Sequence, residues 1–321
     1  MSDLGVIGAG AFGTALAIAL ARAGRDVTLW GRDTEAMSTA QKTRQVPRLP
    51  DVILPENIVI SPDLETVFEH NTLLLAIPAQ QLRGFISEHA AHLRGKRLVA
   101  CCKGIDLETG IGPAQTIEGI LSDAHVAILT GPSFAADIAK GLPTALTLAC
   151  RDAQALKSLQ DALSTPYLRL YRTGDVIGAE LGGALKNVIA IACGACIGAG
   201  FGESARASLM TRGFAEMNRL AAHMGARRDT LSGLSGLGDL ALTCMSVQSR
   251  NFRLGHAIGV GDGFDPSVTV EGAATAKAVS NIGKKEGLDL PITSAVARLV
   301  RGEIDVTTAL GELLARPLKE E

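Results

Sequence analysis

Aromatic residues are scarce: one Trp, two Tyr and eight Phe stand among 321 residues. Poor in rings but rich in alanine and in glycine, of which there are 36, the chain reads as tightly packed helix–sheet layers with nucleotide-binding turns. A basic excess is also absent. Lys+Arg total 31 against 33 Asp+Glu, a formal net charge of -2, so nothing is spare to neutralise a phosphate backbone and a nucleic-acid partner is excluded. Six cysteines are too few for a disulfide framework in a chain of this length. The nearest thing to a motif, Cys193-Gly-Ala-Cys196, offers only half of a usual zinc site and reads as small residues packed in an apolar helix, with no metal expected. A reducing, cytoplasmic setting fits this cysteine usage. Long unbroken hydrophobic runs are missing too. The run from Leu4 to Ala21 is broken by Gly5, Gly8, Gly10 and Gly13 and is preceded by Asp3 rather than a basic segment, unlike a signal or a membrane span. Residues 182–202 come next, and Lys186, Asn187 and several glycines interrupt them, so no membrane insertion is expected. No internal repeat or low-complexity tract is found.

What remains is 47% hydrophobic and 20% charged, enough for a sizeable core, in a length that suggests two domains. Residues 1–172 alternate short apolar strands with helical patterns. The expected strands are Gly5–Gly8, Val27–Trp30, Thr72–Ile77, Arg97–Cys101, Val126–Thr130, Ala145–Ala149 and Leu168–Leu170, several of them apolar on both faces as buried parallel strands are. Amphipathic stretches at 11–23, 79–93, 133–140 and 152–163 lie between them. This alternation predicts a doubly wound α/β sheet. From Thr173, Gly174 and Asp175 onward the pattern changes to helices alone, about 176–198, 205–224, 239–246, 251–259, 271–286, 292–301 and 306–315. The division is therefore placed between 1–172 and an all-helical 173–321.

The opening segment, Leu4-Gly-Val-Ile-Gly8-Ala-Gly10-Ala-Phe-Gly13, places G-x-G-x-x-G between a strand and an alanine-rich helix, with a second strand ending at Trp30. In that context it is a dinucleotide-binding fingerprint. Gly8 permits the tight turn, Gly10 lets a pyrophosphate approach the backbone, and Gly13 lets helix and strand pack closely. The N–H groups of the helix start then face the phosphates. The second strand runs into Gly31-Arg32-Asp33. Arg32 can hold a 2′-phosphate or be a solvated surface charge; Asp33 can bind a ribose or cap the next helix. The balance favours NADP, with NAD open.

Lys103-Gly104 and Gly131-Pro132-Ser133-Phe134 follow strands at their carboxyl ends, where ligands sit in open α/β sheets; Ser133 can equally cap a helix. Lys186 interrupts an almost wholly apolar helix, Glu180-Leu-Gly-Gly-Ala-Leu-Lys186-Asn187-Val-Ile-Ala. It either snorkels or is functional, and desolvation would then favour proton transfer near neutral pH. Asn187 could orient the lysine or a substrate group. Leu234-Ser-Gly236-Leu-Gly238-Asp239 reads as a flexible turn into a helix, with Asp239 an N-cap or a functional carboxylate. Gln248-Ser249-Arg250-Asn251 opens another helix, a start suited to an anionic group or to plain capping.

Taken together, these motifs resemble one family, the bacterial soluble NAD(P)-dependent glycerol-3-phosphate dehydrogenases. The resemblance spans Gly5 to about Leu314. It is carried in order by GAGAFGTALA (8–17), LWGRD (29–33), CKGI (102–105), GPSFA (131–135), ELGGALKNVIAIACG (180–194), RGFAEMNRLA (212–221), GLGDLALTC (236–244), QSRNFRLG (248–255), VEG (270–272) and LPIT (290–293). It implies a Rossmann-like N-terminal sheet with a C-terminal helical domain, and interconversion of dihydroxyacetone phosphate and sn-glycerol 3-phosphate that supplies glycerophospholipid synthesis. By the same resemblance Gly8, Gly10, Phe12, Gly13, Arg32, Lys103, Ala135, Arg250 and Glu271 contact the dinucleotide. Ala11 stands where a hydroxyl residue is common, the stretch 260–269 is short, and Thr269 offers a backbone contact. Lys103, Gly131, Ser133, Asp239, Ser249, Arg250 and Asn251 contact the substrate. Lys186 is the proton acceptor, with Lys103 assisting. A homodimer is implied as well. Two other readings remain open from the residues: a β-hydroxyacid-type dehydrogenase reducing another ketone, or a catalytically silent NADPH-binding protein.

Overall fold

A computed structural model describes residues 4–266 and 268–317. In chain order its elements are β1 (Leu4–Ile7), α1 (Ala11–Arg22), β2 (Val27–Trp30), α2 (Thr34–Thr43), β3 (Ile58–Ser61), α3 (Glu65–Phe68), β4 (Thr72–Leu75), α4 (Ala79–Glu88), α5 (Ala90–Leu93), β5 (Arg97–Ala100), α6 (Pro113–Ile120), β6 (His125–Thr130), α7 (Ala135–Ala139), β7 (Thr144–Cys150), α8 (Ala153–Leu163) and β8 (Leu168–Thr173). Helices follow: α9 (Val176–Gly198), α10 (Gly202–His223), α11 (Arg228–Ser232), α12 (Asp239–Cys244), α13 (Arg250–Val260), α14 (Glu271–Glu286), α15 (Pro291–Val300) and α16 (Val306–Leu314), with a π-helical turn at Leu234–Gly238 before α12.

Alternating side chains on the strands explain the first half. Val6, Leu74, Val99, Ala127 and Leu129 enter one apolar core with α1 and α8. Ile7, Leu73, Leu75, Leu98, Ala100, Val126 and Ile128 enter another with α4 and α6. Both faces of the sheet are thus covered, the condition for parallel strands. Strand order is β3-β2-β1-β4-β5-β6-β7-β8. The order reverses beside β1, where the glycine turn leaves the sheet, and such a switch point is where open α/β sheets bind ligands.

The structure departs from the sequence reading in three places. β3 was not foreseen: it is four residues long, lies at the sheet edge, and leaves Val59 59% exposed, so it lacks a buried strand's continuous apolar character. The last two strands also break the parallel pattern, since β7 runs antiparallel to β6 while β8 pairs parallel with β7. The intervening helix α7 has only five residues. The stretch 79–93 divides into two helices at His89.

The chain forms two compact units. One comprises the chain up to Asp106 together with Ile111–Glu180; the other comprises Leu107–Gly110 and the chain from Leu181. The last strand ends at Thr173, whereas the units part within α9, after Glu180. Asp175 starts α9, its Oδ1 accepting from the Gly178 N–H at 2.9 Å. α9 is long and apolar enough to cross a bilayer, yet most of it is buried inside the protein, as in a core helix. In the second unit Glu216 of α10 accepts from the Ile292 and Thr293 N–H groups, at 2.7 and 3.0 Å, and so caps α15 from a neighbouring helix. Burial pushes the Glu216 carboxyl up.

Candidate active site

The glycine turn of the first unit is built by steric necessity. Gly8 has φ +117°, a conformation costly for side-chain-bearing residues, and a methyl there would fall 2.5 Å from the Ala76 carbonyl oxygen. A methyl at Gly13 would overlap the Gly8 carbonyl. Gly10 differs: nothing lies within 4 Å of where its side chain would be. No protein neighbour requires glycine there, so the space suits a group from outside the chain. Gly10 is also the N-cap of α1, which has neither a capping side chain nor an acidic residue in its first turn. The N–H groups of Ala11, Phe12 and Gly13 therefore open onto a site fit for a pyrophosphate.

At the end of β2, Asp33 is the N-cap of α2, its Oδ1 accepting from the Ala36 N–H at 2.9 Å. Its carboxylate is thus engaged by its own helix, while Arg32 beside it is exposed. Beyond β5 and β6, the Gly131 carbonyl gathers two of the foreseen residues. Lys103 Nζ donates to it at 3.0 Å and Ser133 Oγ at 3.3 Å. Ser133 is not a cap, because Phe134 holds the N-cap position of α7. Ala135 is that helix's first residue.

The second unit gathers the other foreseen residues. Lys186 is 7% exposed, so it does not snorkel. Nor is it alone: its Nζ lies 2.9 Å from Asp239 Oδ1 and donates to Thr243 Oγ1 at 2.6 Å. The Thr243 hydroxyl donates in turn to Asp239 Oδ1 at 3.3 Å. Asp239 is fully buried. It is the first residue of α12 and Gly238 is the cap, so the N-cap reading of Asp239 fails. The expected flexible turn is a π-helical turn, a conformation frequent at functional sites. It brings the backbone against α9: a methyl at Gly182 would overlap the Ser235 carbonyl. Thr243 was not foreseen. Its signal was faint, a hydroxyl four residues after Asp239 in Asp-Leu-Ala-Leu-Thr, which shares the aspartate's helix face.

Asn187 is held by its neighbours: its Nδ2 donates to the Gly183 carbonyl at 3.4 Å and its Oδ1 accepts from Asn251. The Gly272 N–H donates to Asn251 Oδ1 at 3.0 Å, which turns Asn251 Nδ2 toward Asn187 Oδ1 at 2.8 Å. Three helices meet in that relay, α9, α13 and the start of α14, where Glu271 is the first residue. Thr269, ahead of it, is exposed. Ser249 caps α13, accepting from the Phe252 N–H at 3.2 Å, and Arg253 Nη1 pins the preceding loop through the Val247 carbonyl at 2.9 Å. Arg250 opens the helix with its side chain exposed.

α13 is held close by glycines. Side chains at Gly194 and Gly198 would overlap the Phe252 and His256 carbonyls, and side chains at Gly255 and Gly259 the Ile191 and Ala195 carbonyls. Gly255→Ala is expected to cost about 1–3 kcal/mol of stability through overpacking, measurable as a lower denaturant midpoint with an unchanged slope. The six cysteines are buried and free, and burial pushes the Cys196 thiol up and the Cys101 thiol up to about 12. Such thiols are inert, in keeping with a packing role. Among the described residues no cluster of His, Cys, Asp or Glu could hold a metal ion.

Residues 3–156 match the family model described as the N-terminus of NAD-dependent glycerol-3-phosphate dehydrogenase, and residues 175–311 match the model of its C-terminus. The glycerol-3-phosphate dehydrogenase (NAD(P)+) of Ruegeria sp. (strain TM1040) is 56% identical over 320 residues, spanning 99% of this chain and 100% of that one. Its counterpart in Paracoccus denitrificans is 59% identical over 319 residues, again spanning 99% and 100%. The crystal structure of glycerol-3-phosphate dehydrogenase from Coxiella burnetii superposes with a TM-score of 0.92 at 34% identity, covering 98% of this chain and 99% of that one. With a strand–glycine turn–helix in the first unit, a buried Lys–Asp–Thr cluster in the second and matches along nearly its whole length, the chain belongs to the NAD-dependent glycerol-3-phosphate dehydrogenase family.

Proposed function

We propose that the protein interconverts dihydroxyacetone phosphate and sn-glycerol 3-phosphate with NAD(P)(H), using Lys186 as the acid/base. The observation that carries this reading is the buried Lys186–Asp239–Thr243 cluster. When bound, the dinucleotide supplies or accepts the hydride. As the ketone is reduced, negative charge grows on its oxygen and must be neutralised. The Lys186 ammonium does this and gives up a proton; in the reverse direction the amine takes the proton from the alcohol. Asp239 compensates the ammonium inside an apolar helix environment, and Thr243 fixes the direction of Nζ. Lys103 adds positive potential from the end of β5. Gly131 and Ser133 help shape the substrate site from the end of β6.

Arg250, Ser249 and the first-turn N–H groups of α13 hold the substrate phosphate. Asn251 contributes the second N–H of its amide, one being used on Asn187. Gly8, Gly10, Ala11, Phe12, Gly13, Ala135, Thr269 and Glu271 bind the dinucleotide. NADPH oxidation, followed by absorbance with dihydroxyacetone phosphate present and absent, tests the whole reading, and turnover that does not depend on this ketone would reject it.

NADP is the preferred cofactor in this reading, since Asp33 is committed to its helix cap and Arg32 is left to meet a 2′-phosphate. Arg32→Ala removes a charge-assisted contact worth on the order of 1.5–3 kcal/mol. KM for NADPH should rise roughly ten- to a hundred-fold while KM for NADH moves little. Equal effects on both cofactors would show Arg32 serving the adenine site or the fold. The proposal extends to a homodimer in a reducing cytoplasm, feeding glycerophospholipid synthesis; six free, buried cysteines support the reducing setting.

A further inference from the structure

α9 begins in the first unit, and the division between units falls immediately after Glu180. Glu180 is 5% exposed, and its Oε1 accepts from the Ala114 N–H at 2.5 Å. Ala114 lies in the first turn of α6, whose N-cap, Gly112, has no side chain to offer the unbonded N–H groups. Gly112 also makes room, since a methyl there would fall 2.5 Å from Glu180 Cδ. A carboxyl from one helix thus caps another. The capped helix lies beyond the stretch that leaves β5 and carries Lys103. That stretch is itself fastened: the Asp106 N–H donates to the Ile111 carbonyl at 2.9 Å, closing the Leu107–Gly110 excursion, and Arg83 Nε meets Asp106 Oδ2 at 2.9 Å.

We propose that Glu180 is a positioning residue whose carboxyl, docked on the N-terminus of α6, fixes the root of α9, the helix that carries Lys186. The proposal rests on the role given above to Lys186. Glu180 touches no reacting atom in it; it acts through the placement of α9.

The site also gives this clamp a pH response. Burial pushes the Glu180 carboxyl up to about 8. Glu118, on α6, adds to the rise, while the Ala114 N–H and Arg151 oppose it; Glu118 and Arg151 are paired with each other. The folded chain therefore holds this proton more tightly than the unfolded chain does. The resulting stabilisation is full below the ordinary glutamate range near 4.5 and is lost as pH rises through about 8. Ionisation leaves a desolvated carboxylate against α6 and loosens the clamp.

Two variants separate the possibilities. Glu180→Gln keeps an acceptor for the Ala114 N–H but cannot ionise; Glu180→Ala removes the acceptor. Glu180→Ala should lower kcat about 10- to 100-fold, with the Kd for NADPH within about twofold of wild type, as expected of a misplaced catalytic group. Glu180→Gln should stay within about threefold of the wild-type kcat at pH 7, because its amide oxygen preserves the hydrogen bond. Wild-type thermal stability should fall between pH 5 and pH 8, and the alkaline decline in kcat should contain a step near pH 8. Both features should vanish in Glu180→Gln. Wild-type kcat in Glu180→Ala, or an unchanged pH response in Glu180→Gln, would overturn the proposal. If Glu180→Ala does not fold, the Gln variant decides it alone. A wild-type protein inactive on dihydroxyacetone phosphate would reject the functional reading instead, and the melting curves would still decide the clamp.

Discussion

Replacing Lys186 by alanine is expected to lower kcat about 10²–10⁴-fold, the usual worth of a positioned proton donor or acceptor, with little change in the Kd for NADPH. The same change removes the counter-ion of Asp239, which is fully buried. Losing one partner of a buried pair typically costs about 3–5 kcal/mol, so a lower melting temperature should accompany the loss of activity. Lys186→Arg separates the two effects. It returns a positive charge opposite Asp239, but a guanidinium does not surrender its proton. Stability should largely recover while kcat stays low. Near-normal kcat in Lys186→Ala would transfer the acid/base role to Lys103. A Lys186→Arg variant as active as wild type would make Lys186 an electrostatic group rather than a proton carrier.

Dihydroxyacetone lacking its phosphate is expected to be a very poor substrate. Two or three charge-assisted hydrogen bonds are forgone, together about 3–9 kcal/mol before non-additivity is allowed for. Part of the loss should appear in kcat, because binding energy at the phosphate also positions the ketone. Arg250 opens α13 with an exposed side chain, beside the Ser249 cap. Arg250→Ala should erase most of the difference between the phosphorylated and unphosphorylated ketones. Inorganic phosphate should compete with substrate in the wild type and much less in this variant. Equal weakening of both ketones, with phosphate inhibition intact, would place the anion elsewhere and assign Arg250 to the cofactor.

The parts legible in the sequence are those governed by local rules. The first glycine turn could be read because strand, spacing and helix stand together, and α9 and α14 because apolar periodicity and flanking turns mark their ends. The two bounds read for α9 and α14 agree with Val176–Gly198 and Glu271–Glu286. β3 was not legible, for an edge strand of four residues with an outward Val59 carries little pattern. Nor was the reversal of β7, which depends on what the chain does in space after Thr130. Within the site, Lys186 stood out because a cation in an apolar helix is costly. Its partner did not, because Asp239 also satisfied the local rule for a helix start, and only tertiary contact reveals that its carboxylate serves Lys186. Asn187, Asn251 and Gly272 show the same limit, being far apart in sequence and joined only through side-chain amides.

The glycine seam between α9 and α13 has a consequence for how the protein breathes. Backbone at van der Waals contact leaves no layer of side chains to act as a lubricant, so the two helices cannot slide a little; they must part altogether. Amide protons of Ile191 through Ala195 should then exchange with deuterated solvent only when the pair separates, at a free energy near that of global unfolding. The start of α13 inherits this slow clock. The proposed phosphate-binding end of the substrate site thus sits on one of the last parts of the chain to open, whereas the Arg32 end of the proposed cofactor site rests on an exposed turn that can open many times before α13 moves once.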